Sequence, residues 1–286
     1  MQKLLIDGKK ILSGKINISG SKNSTLPILA ATILNDHTTI ENIPLVNDIF
    51  TMLNLLKFIG LKYKLSKKKN SVKVINPNKN INFVAPYKLV KTMRAGILVL
   101  GPLLAKFGNA RVSLPGGCAI GTRPVDIHLN ALSKLGVKYK IIQGYVHATA
   151  PEGLIGATIR FPKISVGATE NLIIAACLAK GTTILSNCAI EPEIKDLINF
   201  LVKMGCNIKW VSNRKIRING IKKINELSYS VMFDRIEAGT YLIAAAITQG
   251  NLKIQNIIPS IINTEIKILK KIGAKLIIKK KEIHII

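Results

Sequence analysis

Residues 113–128, Ser-Leu-Pro-Gly-Gly-Cys-Ala-Ile-Gly-Thr-Arg-Pro-Val-Asp-Ile-His, place one thiol, Cys118, close to one guanidinium, Arg123, in a glycine-rich setting. A thiol beside a cation is a plausible reactive group, because the positive charge stabilises the thiolate. Gly116, Gly117 and Gly121 let backbone approach a ligand, and Pro115 and Pro124 fix its path. Taken alone, the stretch also fits a tight turn around a packed cysteine. Asp126 either caps the following helix or accepts a hydrogen bond from a substrate. His128 either orients the loop or serves the fold.

Three further places could meet an anion. Gly20-Ser21-Lys22-Asn23-Ser24 precedes an apolar helical run, where free amides, the helix dipole and the Lys22 charge suit a phosphate or carboxylate. The plainer alternative is a surface lysine with Ser21, Asn23 or Ser24 as an ordinary cap. Arg94 opens the apolar run near 97–104 and needs a partner there, either a structural carboxylate or an anionic ligand. Lys163-Ile164-Ser165-Val166-Gly167-Ala168-Thr169 opens another such run in the same manner.

Composition narrows what these groups can serve. With 286 residues and 48% apolar content the chain can bury real cores. Its longest apolar runs are shorter than the roughly 18 residues of a membrane span, and its charged first residues do not read as a secretory signal, so a cytoplasmic, non-membrane protein is expected. The net charge of +27 comes mainly from lysines spread through every segment, and aromatic residues are only 5%. A nucleic-acid partner is therefore not expected. Cys118, Cys177, Cys188 and Cys206 form no C-x-x-C pair, so neither a metal site nor a disulfide framework is indicated. Cys177 sits in an apolar run and reads as a buried thiol, and Cys188 and Cys206 are read the same way.

The elements that must position these residues recur with a period of roughly 70 residues. Gly60, Gly136, Gly205 and Gly273 each end an amphipathic helix, where a left-handed cap is expected, and each is followed by an alternating run that reads as a strand. Asp48 reads as the N-cap of the first of these helices. Upstream of each lies a more apolar, alanine-rich helix, near 26–34, 97–104, 172–179 and 242–247, and a short strand joins the two. Strands are also expected at 3–6 and 15–18, and the polar stretch 221–230 reads as a crossing between domains. After the inner strand, repeats one, three and four pass through similar turns beginning at Asn42, Asn187 and Asn256. Repeat two replaces that turn with the cysteine loop, and a module that departs from its siblings only there marks a site.

The segments Ile18-Ser19-Gly20-Ser21-Lys22-Asn23, Lys91-Thr92-Met93-Arg94-Ala95, Leu114-Pro115-Gly116-Gly117-Cys118 through Arg123-Pro124-Val125-Asp126, Ser165-Val166-Gly167-Ala168-Thr169 and Asp234-Arg235-Ile236-Glu237 resemble the enolpyruvyl transferases. The resemblance runs in order along the whole chain. The cysteine loop with Arg-Pro-Val-Asp is similar to the branch acting on UDP-N-acetylglucosamine and is absent from the shikimate-pathway branch. It implies an α/β fold of the inside-out α/β barrel type, built of helix-strand modules around buried helices, with the active site in the cleft between two domains. Residues 22–232 would be a complete first domain of three modules. Residues 1–21 and 233–286 would be one module of a second domain, because the family chain continues beyond Ile286.

The resemblance implies transfer of the enolpyruvyl group of phosphoenolpyruvate to the 3-hydroxyl of UDP-N-acetylglucosamine, with release of phosphate, no metal and no cofactor, in peptidoglycan precursor synthesis. Residue by residue, Lys22, Asn23 and Arg123 would hold phosphoenolpyruvate. Arg94, Arg123, Pro124, Val125, Asp126 and Ile127, with Lys163, Ile164, Ser165 and Val166, would hold the UDP-sugar. Cys118 would deliver a proton to the methylene carbon, could form a covalent adduct, and is the position fosfomycin attacks. Leu98 and Asn47 depart from the tryptophan and lysine usual in the family. The absent modules would carry the base for the sugar hydroxyl and several arginines. The alternative is therefore an inactive remnant that at most binds UDP-sugar or phosphate, with pairing through its incomplete second domain.

Overall fold

The four helix-ending glycines all adopt the left-handed conformation that a side chain disfavours, with φ of 118° at Gly60, 92° at Gly136, 97° at Gly205 and 98° at Gly273. A computed structural model of the chain describes residues 3, 5, 7, 8, 10–116 and 125–286. In it each repeat is a module of six elements: an edge strand, a buried helix, an inner strand, an outer helix and a two-stranded hairpin.

Among the described residues the modules build four four-stranded sheets of identical plan. In each, the inner strand pairs parallel with its edge strand and antiparallel with the second strand of the hairpin. For the first module the inner strand is His37–Glu41 and the hairpin Lys62–Ser66 with Ser71–Ile75. Asn109–Ser113 with Lys138–Ile142 and Tyr145–Thr149 serve the second. Thr182–Ser186 with Asn207–Ser212 and Lys215–Asn219 serve the third, and Asn251–Gln255 with Leu276–Lys279 and Glu282–Ile285 the fourth. The edge strands of the last three are Val84–Ala85, Thr158–Arg160 and Ser13–Asn17.

The edge strand of the first module comes from the far end of its unit. Leu227–Ser230 pairs parallel with His37–Glu41, so the stretch expected as a crossing is instead the strand that closes the first sheet. Its polar look comes from the outward residues of an edge strand, while Tyr229 between them is buried. The strand expected at 3–6 is not present at Lys3 or Leu5, and Leu4 and Ile6 lie outside the described residues. The first observed strand is Ser13–Asn17.

The chain divides into two compact units, residues 22–231 and residues 1–21 with 232–286. Within the larger unit the centre is helical. Ser24 to Ala31 of helix Lys22–Ala31 and Ala168 to Ala176 of helix Val166–Ala176 are all buried. The third central helix begins as a 3-10 turn, Arg94–Val99, and becomes α-helical only at Leu100–Phe107, because Pro102 has no N–H to return to the Leu98 carbonyl. The three sheets of this unit lie outside the bundle and, among the described residues, do not close into one barrel. In the smaller unit a separate core gathers Ile18, Leu242, Ile254, Ile266 and Ile283, with their neighbours. Helix Arg235–Ile247 buries only Ala238, Gly239, Leu242 and Ala245 there, and Ile247 is 78% exposed.

Candidate functional site

Lys22 is the first residue of its helix, and its Nζ lies 3.1 Å from Asp48 Oδ2. Asp48 is thus no N-cap: Val46 holds that position without a side-chain bond, and Asp48 sits in the first turn of helix Asn47–Ile59. Asn23 is exposed beside Lys22, whereas Ser24 and Thr25 are fully buried. Pro27 has no N–H to offer the Asn23 carbonyl, so the start of this helix lacks one of its ordinary bonds. Asn47 opens the outer helix, and Leu98 is buried in the core.

A second group forms around Asn171, a residue that composition alone gave no reason to single out. Gly101 N donates to Asn171 Oδ1 at 2.7 Å, and Asn171 Nδ2 donates to the Ile97 carbonyl at 3.1 Å. These two bonds fix the amide orientation. Its nitrogen then faces His128 Nδ1 at 3.2 Å, which makes that ring nitrogen the acceptor and His128 neutral. Burial, helped by the Arg94 charge and opposed by Asp126, holds the imidazole down to about 4. The ring also lies against Gly167, where an added Cβ would sit 3.3 Å from His128 Cε1. One side chain therefore ties together the turn bearing Arg94, the helix that follows the cysteine loop and the helix that opens at Ser165.

Arg94 itself is exposed, and its charge acts on the buried carboxyl of Glu170. Burial, then the charges of Glu193 and Glu191, push the Glu170 carboxyl well above the usual carboxylate range, against the opposite pull of Arg94. Arg94 is thus close enough for its charge to act on a buried carboxyl of the fold. Of the two readings left open for Asp126, capping is not what is seen: Val125 is the N-cap, Asp126 opens helix Asp126–Lys134 and its side chain is exposed. Ile127 turns into the core. Lys163, Ile164 and Val166 are exposed, and Ser165 caps helix Val166–Ala176 by accepting from Ala168 N at 3.3 Å.

A pH signature follows from this cluster. Glu170 has a raised folded-state pKa, so its contribution to stability is complete below the ordinary carboxylate range and is lost as the pH rises through the folded value. Glu170→Gln should therefore raise the melting temperature, and its advantage over wild type should widen as the pH rises above the ordinary carboxylate range. His128 works in the opposite sense: its contribution is present above 6.5 and is lost as the pH falls toward about 4. Parallel melting curves for wild type and variant would refute the burial of a protonated Glu170.

The root of the cysteine loop shows why it leaves the sheet differently from its siblings. Asn42, Asn187 and Asn256 each follow an inner strand with positive φ of 56°, 59° and 62°. Each donates its side-chain amide to the carbonyl just past the edge strand, at Val231, Phe161 and Ile18, over 2.9, 2.9 and 3.2 Å. The next residue in each, Ile43, Cys188 or Ile257, donates its N–H to the last residue of the hairpin turn. In the second module Leu114 N makes that bond to Gly144 directly after the strand, so the asparagine is deleted there. The loop then starts against the Arg94 segment, since a Cβ on Gly116 would lie 2.9 Å from the Lys91 carbonyl. Cys118, Arg123 and Pro124, for which site roles were expected, lie outside the described residues.

The other three cysteines are buried. A hydrogen bond with Cys206, and burial, push the Cys177 thiol up, and burial pushes Cys188 up to about 12. Among the described residues there is no cluster of metal-ligating side chains, and no helix is long and apolar enough to cross a membrane.

Comparison with known proteins places these features. The family model of EPSP synthase (3-phosphoshikimate 1-carboxyvinyltransferase) matches residues 6–286. A UDP-N-acetylglucosamine 1-carboxyvinyltransferase of Pelagibacter ubique is 68% identical over 286 residues, all of this chain and 68% of that protein. Proteins of the same name from Saccharophagus degradans and Rickettsia akari are each 50% identical over 277 residues, 96% and 94% of this chain and 66% of theirs. The chain thus spans about two thirds of the length of the curated relatives it matches. Among solved structures, the enolpyruvyl transferase NikO of Streptomyces tendae superposes with a TM-score of 0.85 at 20% identity, covering 97% of this chain and 66% of that one. An EPSP synthase of Acinetobacter baumannii does so with 0.77 at 20% identity, covering 97% and 65%. At such identities the structures speak to the fold alone.

Proposed function

The chain belongs to the EPSP synthase family, an enzyme family of enolpyruvyl transferases, and from that premise we propose that it acts in the branch that transfers the enolpyruvyl group of phosphoenolpyruvate to the 3-hydroxyl of UDP-N-acetylglucosamine. The observation that carries this reading is the 68% identity, over every residue of the chain, with a relative of that name. The Pro-Gly-Gly-Cys loop with Arg123-Pro124-Val125-Asp126 supports it, because this loop carries the resemblance to the branch acting on UDP-N-acetylglucosamine.

On this reading the start of helix Lys22–Ala31, with Lys22 and Asn23, and Arg123 of the loop receive phosphoenolpyruvate. The Lys22 ammonium exchanges its Asp48 partner for the incoming anion. Arg94, the 123–127 segment and the exposed 163–166 segment receive the UDP-sugar. Ile127 is in the core, so its part is played by backbone. Cys118 gives its proton to the methylene carbon of phosphoenolpyruvate as the sugar hydroxyl gives up its proton to a base and its oxygen bonds to the adjacent carbon. Loss of phosphate and of a proton from the new methyl group then restores the double bond. The neighbouring cations stabilise charge on the departing phosphate. The product is a peptidoglycan precursor made in the cytoplasm, at a step that fosfomycin would block through Cys118. Residues 22–231 form the first domain of the transferase, and residues 1–21 with 232–286 belong to its second domain.

The test is phosphate release by the purified 286-residue chain. Phosphate should appear only when both phosphoenolpyruvate and UDP-N-acetylglucosamine are present, one per sugar consumed. The span of about two thirds of the relatives' length favours one other reading, a chain that binds without turning over. Retained UDP-sugar affinity with no phosphate release would support that reading and end the first.

A further inference from the structure

Asp196 lies on helix Pro192–Lys203, is 8% exposed, and its carboxylate receives two hydroxyl groups. Ser24 Oγ donates to Oδ2 at 2.5 Å. Tyr229 Oη donates to Oδ1 at 2.6 Å and approaches the Asp196 backbone oxygen at 3.1 Å. Ser24 is fully buried and is the second residue after Lys22. Tyr229 belongs to the strand Leu227–Ser230 that closes the first sheet, and its ring packs edge-on against Phe200 at 5.3 Å. Burial, then the charge and hydrogen bond of Asp196, push the Tyr229 hydroxyl far up, so it remains a donor.

We propose that Asp196 is a positioning residue for phosphoenolpyruvate: through Ser24 it locks the first turn of the helix that presents Lys22 and Asn23, and through Tyr229 it anchors that turn to the closing strand. Hydrogen bonds to a charged acceptor are shorter and stronger than neutral ones, and in a buried place they hold geometry tightly. The turn needs such a lock. Pro27 removes the helix's own bond to the Asn23 carbonyl, and Lys22 and Asn23 sit at its free end, where small tilts carry a binding group away from its ligand. The proposal rests on the reading of Lys22 and Asn23 given above.

The experiment measures equilibrium binding of phosphoenolpyruvate, and separately of UDP-N-acetylglucosamine, to the 286-residue chain and to Ser24→Ala, Asp196→Asn, their double variant and Lys22→Ala. Ser24→Ala and Asp196→Asn should each weaken phosphoenolpyruvate about tenfold and leave the UDP-sugar within about twofold. The double variant should be no weaker than Asp196→Asn, because Asp196→Asn already removes the charge-assisted bond that Ser24→Ala deletes. Ser24→Ala removes a single oxygen, so it remains informative should Asp196→Asn fold poorly, and faster amide exchange confined to the first turn of helix Lys22–Ala31 should accompany it. Equal loss for both substrates would show a merely structural role and overturn the proposal. So would unchanged phosphoenolpyruvate affinity in Ser24→Ala and Asp196→Asn while Lys22→Ala abolishes it. If Lys22→Ala, or the wild-type chain, shows no dependence of phosphoenolpyruvate binding on Lys22, the reading of the site itself fails, and the positioning role with it.

Discussion

Cys118→Ala is expected to lower phosphate release by at least about a hundredfold while leaving UDP-N-acetylglucosamine affinity unchanged, since loss of a positioned general acid typically costs two to four orders of magnitude. Cys118→Ser should be nearly as deficient: its hydroxyl keeps the size of the group but gives up a proton far less readily. The remaining cysteines make a clean chemical check possible. Cys177, Cys188 and Cys206 are buried, and the thiols of Cys177 and Cys188 are pushed up. A thiolate-selective alkylating agent applied to the folded chain near neutral pH should therefore add one group, at Cys118, and phosphate release should fall in step with its addition. Turnover that persists in Cys118→Ala would remove the thiol from the chemistry.

The second large effect concerns stability. Gly101→Ala would place a Cβ 2.2 Å from Asn171 Oδ1 and 2.6 Å from the Asn171 carbonyl oxygen. Neither can yield easily, because the amide is already committed to Gly101 N, the Ile97 carbonyl and His128. Helices Leu100–Phe107 and Val166–Ala176 would have to separate, losing packing and a buried hydrogen bond together. The expected cost is about 3 kcal/mol or more, read as a lower urea midpoint. The Arg94 turn and the helix end at Ser165 share this joint, so UDP-sugar affinity should fall in whatever fraction remains folded. An unchanged midpoint would mean that the two helices are not in contact as described.

Much of the fold could be read from periodicity. The helix-ending glycines, the outer helices and the strands that follow them depend on local rules, a left-handed cap and a spacing of apolar residues, which act within a few residues of chain. The misread places are those where distant chain decides. Residues 221–230 look like a linker because an edge strand shows one polar face, and only pairing with His37–Glu41, far away in sequence, makes Leu227–Ser230 a strand. Asp48 has the composition of an N-cap but is drawn to Lys22 instead. The candidate site divides the same way. Lys22, Arg94 and the cysteine loop announce themselves by charge and glycine content. Glu170, Asn171 and Asp196 are polar residues that the fold buries on helices, and nothing in their local spacing shows which partners they meet.

The modular repeat and the departure of the second module at its cysteine loop are legible in residue types at short spacing, and the family in the segments that resemble it. How that departure is made becomes visible in the folded chain. The second module lacks one asparagine whose amide, in the three sibling modules, clamps the turn to the carbonyl beyond the edge strand. The fold also shows that one buried amide, Asn171, joins three helices, and that one buried carboxylate, Asp196, joins a helix end to a closing strand. A hydrogen bond between residues far apart in the chain leaves no period in the sequence, because either partner alone is only one more polar residue until the fold brings the other within reach.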